Sequence, residues 1–173
     1  SSGVSADAYA LETSLGQIVR TLKTRYPNLQ QIFLSSRTYG GYATITTNPE
    51  PYAYESGFAV KWLIEGQINQ MQTGRIVDVR AGDLNYSTGA PWLAWGPYVW
   101  ADGVVPNSEG LSWSQSDFTG DGTHPSSSGV QKVGQKLLNL LILSPYTPWF
   151  RAETVAASPL SSAECPTARC FFI

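Results

Sequence analysis

The spacing of apolar side chains predicts three amphipathic helices. Over residues 6–26 apolar side chains recur every three or four positions, and Pro27 ends the pattern. A second helical period runs over residues 52–71, and a third over residues 127–143, where Pro145 prevents continuation. The predicted inward-facing residues are Leu11, Leu15, Ile18, Val19 and Leu22 in the first helix, Val60, Leu63, Ile64, Ile68 and Met71 in the second, and Val130, Val133, Leu137, Leu140 and Leu141 in the third.

Two short apolar runs between the first two helices and after the second predict strands. Residues 32–34 are all apolar and lead into a polar loop, which is typical of a buried strand in a parallel sheet. Residues 75–79 alternate between polar and apolar and predict a second strand. Alternating strands and helices indicate an α/β fold. Because ligands bind beyond the carboxyl ends of parallel strands, residues 35–42 are expected to form one wall of a site.

Residues 81–120 show no period and predict one long irregular segment. The segment carries four tryptophans, which argue against disorder: Trp92, Trp95, Trp100 and Trp113. Long loops inside a compact domain are usually functional. The rings either stack on sugar faces or acyl chains, or fold back and bury one another. The sequence leaves both alternatives open.

The residues after position 150 differ in composition from the rest. They are rich in Ala, Ser and Pro and show no period. We therefore expect one domain over residues 1–150 and an irregular tail over residues 151–173 with no role in the fold. The tail carries both cysteines, Cys165 and Cys170, whose spacing allows a local disulfide in an oxidising compartment.

Composition narrows the classes of function. Charged residues make up 14% of the 173 residues and aromatic residues 12%, with a formal net charge of −2 and no basic cluster. Nucleic acid is therefore not an expected partner. No apolar run is long enough to span a membrane. Few charges and many aromatic, Ser, Thr and Gly residues are typical of a protein that meets neutral substrates outside the cytoplasm. We expect an extracellular or periplasmic location, although no signal peptide opens the chain.

Residues 121–126 carry the only histidine, His124, three positions after Asp121. An aspartate can fix the tautomer of an imidazole and stabilise its protonated form while the ring takes a proton from a nucleophile. The alternative is that His124 is a polar loop residue at the start of a helix. Metal binding is not expected, because two thiols and one distant histidine make a poor ligand set.

An Asp-x-x-His-Pro-Ser stretch followed by a helix resembles the last conserved block of the SGNH (GDSL-type) serine hydrolases. Residues 35–42 and 91–103 are similar to other stretches in the second half of that family, and residues 48–57 to secreted bacterial members. The resemblance covers residues 6–150. It implies a three-layer αβα, flavodoxin-like fold and ester hydrolysis through an acyl-enzyme. His124 would be the general base and Asp121 its orienting acid, with no metal or organic cofactor.

The family's nucleophile block, a Gly-Asp-Ser turn, does not occur in these residues, nor do its two blocks that supply oxyanion donors. The chain therefore resembles the later half of such a hydrolase, lacking its N-terminal strands. The nucleophile would come from an N-terminal portion outside the chain, and we expect pairing with that fragment or self-association. Alternatively a local serine replaces it; the candidates are Ser35, Ser36, Ser126 and above all Ser56, in the first turn of a helix.

The expected substrate is a small-molecule or glycan ester. Arg37 is a candidate to hold a carboxylate or sugar hydroxyl, with Tyr39, Trp95 and Trp100 as further substrate contacts. The remaining alternative is a catalytically incomplete protein that binds carbohydrate or lipid through its aromatic loop.

Overall fold

A computed structural model describes residues 6–44, 46, 49–151 and 169–172. The fold is α/β, with a small open parallel sheet. Its elements in chain order are α1 (Ala6–Arg25), β1 (Leu29–Leu34), α2 (Tyr52–Thr73), β2 (Trp92–Trp95), α3 (Ser127–Leu143) and β3 (Arg169–Phe172). Two short 3₁₀ turns, Gln115–Asp117 and Pro148–Phe150, flank α3 in the sequence.

The sheet has the order β2-β1-β3, and both neighbours of β1 run parallel to it. Helices α1 and α2 pack against each other and against the first two strands. Their shared core is apolar; its members with side chains at most 3% exposed include Val19, Leu29, Ile32, Leu34, Leu63, Leu84 and Leu93. This core fixes the carboxyl ends of β1 and β2 side by side, with Leu34 opposite Trp95.

The three predicted helices are confirmed, and the predicted inward faces of the first two are confirmed in part. Leu15, Val19, Val60, Leu63 and Ile64 are buried. Three other predicted core residues are exposed on the helix flanks: Leu11, Ile18 and Ile68. The core therefore takes a narrower stripe from each helix than the period suggested, because the sheet they cover is small.

The strand predicted over residues 75–79 is wrong. After Gly74 ends α2 in a left-handed conformation, the chain stays irregular, and Val79 is 87% exposed. Asp78 Oδ1 accepts a hydrogen bond from the Arg80 backbone N–H at 2.9 Å and forms a turn. The Arg80 guanidinium then reaches Glu12 on α1 at 2.8 Å. Local turn chemistry and this ion pair override the alternating pattern.

The second strand lies inside the segment that we expected to be wholly irregular. Its sequence is a four-residue apolar run between Pro91 and Gly96. The buried Gln67 side chain of α2 holds the start of the strand. Gln67 Nε2 donates to the carbonyls of Leu84 and Pro91 at 2.9 and 2.8 Å, and its Oε1 accepts from the Leu93 N–H at 2.7 Å. A single buried amide thus satisfies three backbone groups that the core would otherwise leave unpaired.

The inward-facing stripe predicted for α3 is not buried. Gly129 is the one buried residue of α3, and Val130 is 59% exposed. The helix is instead held near its N-terminus by the turn Gln115–Asp117 and at its far end by the turn Pro148–Phe150. A cleft separates its Val133 and Leu137 side chains from the loops that follow β1 and β2.

We expected residues 151–173 to be irregular and to have no role in the fold, but four of the described residues belong to the sheet. Arg169–Phe172 form β3, which pairs with the edge of β1 that β2 leaves open. An unpaired strand edge presents backbone donors and acceptors, and a strand added from the same chain satisfies them. Cys165 lies outside the described residues, so the disulfide that the cysteine spacing allows falls outside them too.

Candidate functional site

The loop that carries His124 is closed by backbone hydrogen bonds at its base. Phe118 and Pro125 form an antiparallel bridge, and the Thr119 N–H donates to the His124 carbonyl at 2.8 Å. The Ser126 N–H donates to the Asp117 carbonyl at 2.9 Å, where α3 begins. The loop therefore has a fixed shape although the His124 side chain is 72% exposed.

Within this loop Asp121 holds the imidazole directly. Its Oδ2 lies 2.5 Å from His124 Nδ1, and its Oδ1 accepts from the backbone N–H groups of Thr123 and His124 at 2.9 and 3.0 Å. The Thr119 hydroxyl donates to the same Oδ1 at 2.8 Å. The carboxylate is thereby fixed at one oxygen by the loop and at the other by the ring. The predicted contact between Asp121 and His124 is confirmed.

These donors also set the charge of the site. The His124 side chain, followed by the backbone N–H groups of His124 and Thr123 and the Thr119 hydroxyl, holds the pKa of Asp121 well below its usual range. Asp121 is therefore ionised at neutral pH and can only accept. The neutral imidazole must carry its proton on Nδ1, which leaves the lone pair of Nε2 free to take a proton. This is the arrangement of a general base with its orienting acid.

A second carboxylate, Asp117, helps to hold the base of this loop against α3. It is 3% exposed, and Lys132 Nζ lies 2.6 Å from its Oδ2. The Ser114 N–H and hydroxyl donate to the same oxygen at 2.8 and 2.9 Å, and the Ser128 hydroxyl donates to Oδ1 at 2.9 Å. Burial alone would raise the pKa of Asp117, but Lys132 and the serine donors outweigh it and hold that pKa far below the usual range.

Gly122 gives the loop its close approach to the rest of the protein. Its φ is +66°, and a side-chain carbon at this position would overlap the Tyr42 carbonyl. Two hydrogen bonds from Thr44 to the Asp121 carbonyl lie alongside, one from the backbone N–H at 2.9 Å and one from the hydroxyl at 3.1 Å. The loop is thus anchored to residues 42–44 as well as to α3.

We expect Gly122→Ala to destabilise the protein by at least about 1–2 kcal/mol from the left-handed backbone alone, with displacement from Tyr42 in addition. Gly120→Ala is the matched control, since a side-chain carbon there meets nothing within 4 Å. Urea unfolding of both variants measures the difference. Equal unfolding free energies for the two would contradict the assigned packing.

His124 lines a cleft of about 580 Å³ at the carboxyl ends of β1 and β2. The cleft walls are residues 35–38 after β1, Pro97 and Val99 after β2, and Val133 and Leu137 of α3. Of residues 35–42, which we expected to form one wall of a site, the first four line this cleft. The lining residues combine one histidine, one arginine, two serines and two threonines with an apolar floor. Such a mixture suits an organic ligand with an apolar body and a few polar groups.

Arg37 borders this cleft and also a second depression of about 420 Å³. The second depression is lined by two acidic residues, Asp7 and Glu55, and by Ser56. Arg37 is exposed and can reach a ligand in either space. Ser56 lines only the second depression; its hydroxyl donates to the Ala53 carbonyl at 2.7 Å and accepts from the Arg37 N–H at 3.2 Å. The structure therefore does not bring Ser56 together with His124.

The three aromatic candidates lie outside the cleft lining. Tyr39 packs edge-on against Tyr42, and its burial raises its pKa. Trp95 packs against the main core and lies edge-on to Tyr98. Trp100 donates from Nε1 to Glu50 Oε1 at 2.9 Å and contacts the Tyr54 ring.

We expected the tryptophans of residues 81–120 either to stack on a ligand or to be buried in the protein. One of the four rings is fully buried. Trp113 is fully buried, with Nε1 donating to the Val99 carbonyl at 2.9 Å, and it forms a small second core with Phe118 and Leu111. Trp92, Trp95 and Trp100 are half-buried.

Ser35 and Ser36 share the cleft with His124. Ser36 is buried, and its hydroxyl oxygen accepts from the backbone N–H groups of Val99 and Trp100 at 3.0 and 3.2 Å. Ser36 thereby links the loop after β1 to the loop after β2. Ser126, at the start of α3, donates to the Ser116 carbonyl at 2.7 Å. Among the described residues, Ser35 is therefore the serine of the cleft with no such structural bond to another wall.

Two residues that organise the site were not singled out from the sequence. Glu50 accepts hydrogen bonds from the Gly40 N–H at 2.9 Å and the Tyr54 N–H at 3.0 Å, besides that from Trp100. It thereby links the loop after β1, the start of α2 and the loop after β2. Asp117 was missed as well, although a serine three residues before an acid is a capping-box pattern. The capping-box pattern does not identify the tertiary partners of Asp117, and we found no sequence signal for Glu50.

Within the described ranges no group of three or more His, Cys, Asp or Glu side chains is placed to hold a metal ion. The helices of those ranges are also too short or too polar to cross a membrane. Comparison of the chain with protein-family models, with curated proteins and with solved structures gives no match.

Proposed function

We propose that the chain is the base-bearing part of a serine esterase, and that His124 and Asp121 carry out its proton transfers. The observation that supports this most strongly is the 2.5 Å contact between His124 Nδ1 and an ionised Asp121, with the ring lining an open cleft. In this reaction Nε2 takes the proton of a serine hydroxyl as the serine attacks an ester carbonyl. His124 then returns the proton to the leaving alcohol, and water repeats the cycle on the acyl-enzyme.

The proposed architecture is the later half of the three-layer αβα fold of SGNH hydrolases. It is supported by the parallel order of β1 and β2, by the sequence position of the Asp121–His124 loop before the last helix, and by the cleft at the carboxyl ends of the strands. The exposed flank of α3 and the small sheet leave room for further strands and a helix. We propose a secreted bacterial setting on the sequence resemblance alone.

The nucleophile in this proposal is a serine from a polypeptide portion outside these 173 residues. The hydroxyls of Ser36, Ser56 and Ser126 are engaged in bonds that hold the fold. Ser35 is the local alternative because it faces the same cleft as His124. The apolar floor of Pro97, Val99, Val133 and Leu137 supports an ester whose acyl group is uncharged.

Active-site labelling of the product of the intact gene with a fluorophosphonate, followed by peptide mapping, tests this proposal. We expect the label on a serine encoded outside residues 1–173, and we expect His124→Gln to slow labelling strongly because the hydroxyl loses its base. A label on Ser35, abolished by Ser35→Ala, would refute the external nucleophile. Labelling at an unchanged rate in His124→Gln would refute the role of His124.

A second candidate function is ligand binding without turnover. It is supported by the structural bonds of Ser36, one of the two serines that line the cleft, and by the mixed polar and apolar lining. Under this reading the intact product takes no label, and a neutral ester or glycan binds equally well to wild type and to His124→Gln.

A further inference from the structure

A buried glutamate lies where α1 meets the segment that follows α2. The side chain of Glu12 on α1 is fully buried, and no donor from the described residues reaches its Oε1. Its Oε2 accepts from Arg80 Nε at 2.8 Å. A buried carboxylate with one unpaired oxygen is costly, whereas a protonated carboxyl group can use that oxygen as a donor. The surroundings of Glu12 therefore favour its protonated form.

Asp78 supplies a second carboxyl group at this position. Its Oδ2 lies 3.1 Å from Arg80 Nη2, so that both acids share one guanidinium. Glu12 and Asp78 also lie within hydrogen-bonding reach of each other. Two carboxylates can only accept, so this bond forms when one of the two groups carries a proton.

The proton belongs to Glu12. Burial raises the pKa of Glu12, Arg80 acts against this, and Asp78 raises that pKa further. Burial acts in the same direction on Asp78, but the backbone N–H of Arg80, the Glu12 side chain and the guanidinium outweigh it, and the pKa of Asp78 is lowered. Asp78 is therefore the ionised partner that accepts from a protonated Glu12.

The other ionisable side chains on the neighbouring elements have partners of their own. Arg20 of α1 donates to the Ala81 carbonyl, the Tyr9 ring stacks on Trp62 and carries the Arg80 guanidinium on it, Lys61 of α2 pairs with Glu65, and Asp83 accepts from Gln70. The response of this position to pH therefore comes from Glu12, Asp78 and Arg80.

These three groups fasten the connection between α2 and β2 to α1. Residues 78–82 form a turn in which the Gly82 N–H donates to the Asp78 carbonyl at 3.1 Å. The turn packs closely on α1, since a side-chain carbon at Gly16 would overlap the Ala81 carbonyl. A surface turn of this kind opens locally at a lower cost than the core, and the contacts of its polar side chains contribute to that cost.

We propose that Glu12, Asp78 and Arg80 form a proton-operated latch, which is closed when Glu12 carries a proton and loosens when Glu12 ionises. In the closed latch the Glu12 hydroxyl donates to the Asp78 carboxylate, and one negative charge balances the guanidinium. After ionisation two carboxylates lie beside one guanidinium, and a buried oxygen has no donor. The latch operates without any turnover at His124.

The direction of the pH response follows from the raised pKa of Glu12. The stabilisation that the proton provides is fully present below the ordinary glutamate value of 4.5 and is lost as pH rises through the folded-state value. Asp117, whose pKa is lowered, responds in the opposite direction. The turn should therefore be held most firmly in mildly acidic solution.

Carbon-13 NMR titration of the Glu12 carboxyl group in the full chain tests the latch, with the resonance identified by its loss in Glu12→Gln. We expect wild-type Glu12 to titrate above its ordinary value. Asp78→Asn should move this titration to lower pH because a neighbouring negative charge is removed, and Arg80→Gln should move it to higher pH. The matched control is Glu65→Gln, which breaks an exposed pair on α2 and should leave the Glu12 titration unchanged.

Amide hydrogen exchange shows whether the turn follows the proton. Protection factors at Arg80 and Gly82 should fall about threefold or more between about pH 5 and about pH 8 in wild type. They should stay constant in Glu12→Gln, whose amide keeps a donor at every pH. Titration of wild-type Glu12 at or below its ordinary value would overturn the proposal without recourse to any variant. Equal pH dependence of protection in wild type and Glu12→Gln would overturn it as well.

Discussion

His124→Gln in the intact gene product is expected to lower kcat for p-nitrophenyl ester hydrolysis by about a thousandfold or more, because the attacking hydroxyl loses its base. KM should change little, since His124 is one of several residues that line the cleft. Steady-state kinetics with a short-chain ester measures both constants. A kcat within tenfold of wild type would exclude His124 from the chemistry.

Asp121→Asn separates the role of the acid from that of the base. The amide can donate to Nδ1, which moves the imidazole proton to Nε2 and removes the lone pair that the reaction needs. We expect a loss of kcat similar in order to that of His124→Gln, and no further loss when the two substitutions are combined. Additive losses in the double variant would show that the two residues do not act as a unit.

Asp117→Asn is expected to destabilise the fold by about 2–3 kcal/mol, because Lys132 loses its carboxylate and two serine donors lose an ionised acceptor. The value lies below that for a fully buried pair because the Lys132 side chain is 36% exposed. The matched control is Glu109→Gln, which breaks the more exposed pair of Glu109 with Lys136 and should cost about 0.5 kcal/mol or less. Guanidinium unfolding of both variants gives the comparison. Equal costs would mean that Asp117 holds no special position.

The same carboxylate predicts the acid sensitivity of the protein. The pKa of Asp117 is held below its usual range in the folded state by Lys132 and the serine donors, in spite of burial. Its contribution is therefore fully present above the ordinary carboxyl pKa of about 4 and is lost as pH falls through the folded-state value. Unfolding free energy should fall more steeply below about pH 4 in wild type than in Asp117→Asn. Parallel curves would contradict this linkage.

Much of the chemistry at the site could be predicted because it is local. Asp121 and His124 are three residues apart in a glycine-rich loop, so their contact depends on a short stretch of backbone. The three helices were predicted for a similar reason, since apolar side chains recur with a period of about 3.6 residues within each segment.

The wrong predictions concern segments whose conformation depends on residues that are distant in the sequence. The alternation over residues 75–79 suggested a strand, but a turn at Asp78 and the ion pair of Arg80 with Glu12 hold that segment outside the sheet. The true second strand is only four residues long, too short for a period, and depends on Gln67 of α2. Likewise the period of α3 indicated an apolar face but not whether anything packs on it.

The sequence by itself determined the helices, the first strand, the α/β class and the pairing of an acid with the only histidine, because each of these depends on neighbours along the chain. Only the tertiary structure decided that the histidine opens onto a cleft between two strand ends, that Ser56 lies in a separate depression, and that the end of α3 is uncovered. Those features depend on which surfaces meet in space. The free energy gained by burying an apolar surface depends on both surfaces that come into contact, and a periodic pattern in one segment describes only one of these surfaces.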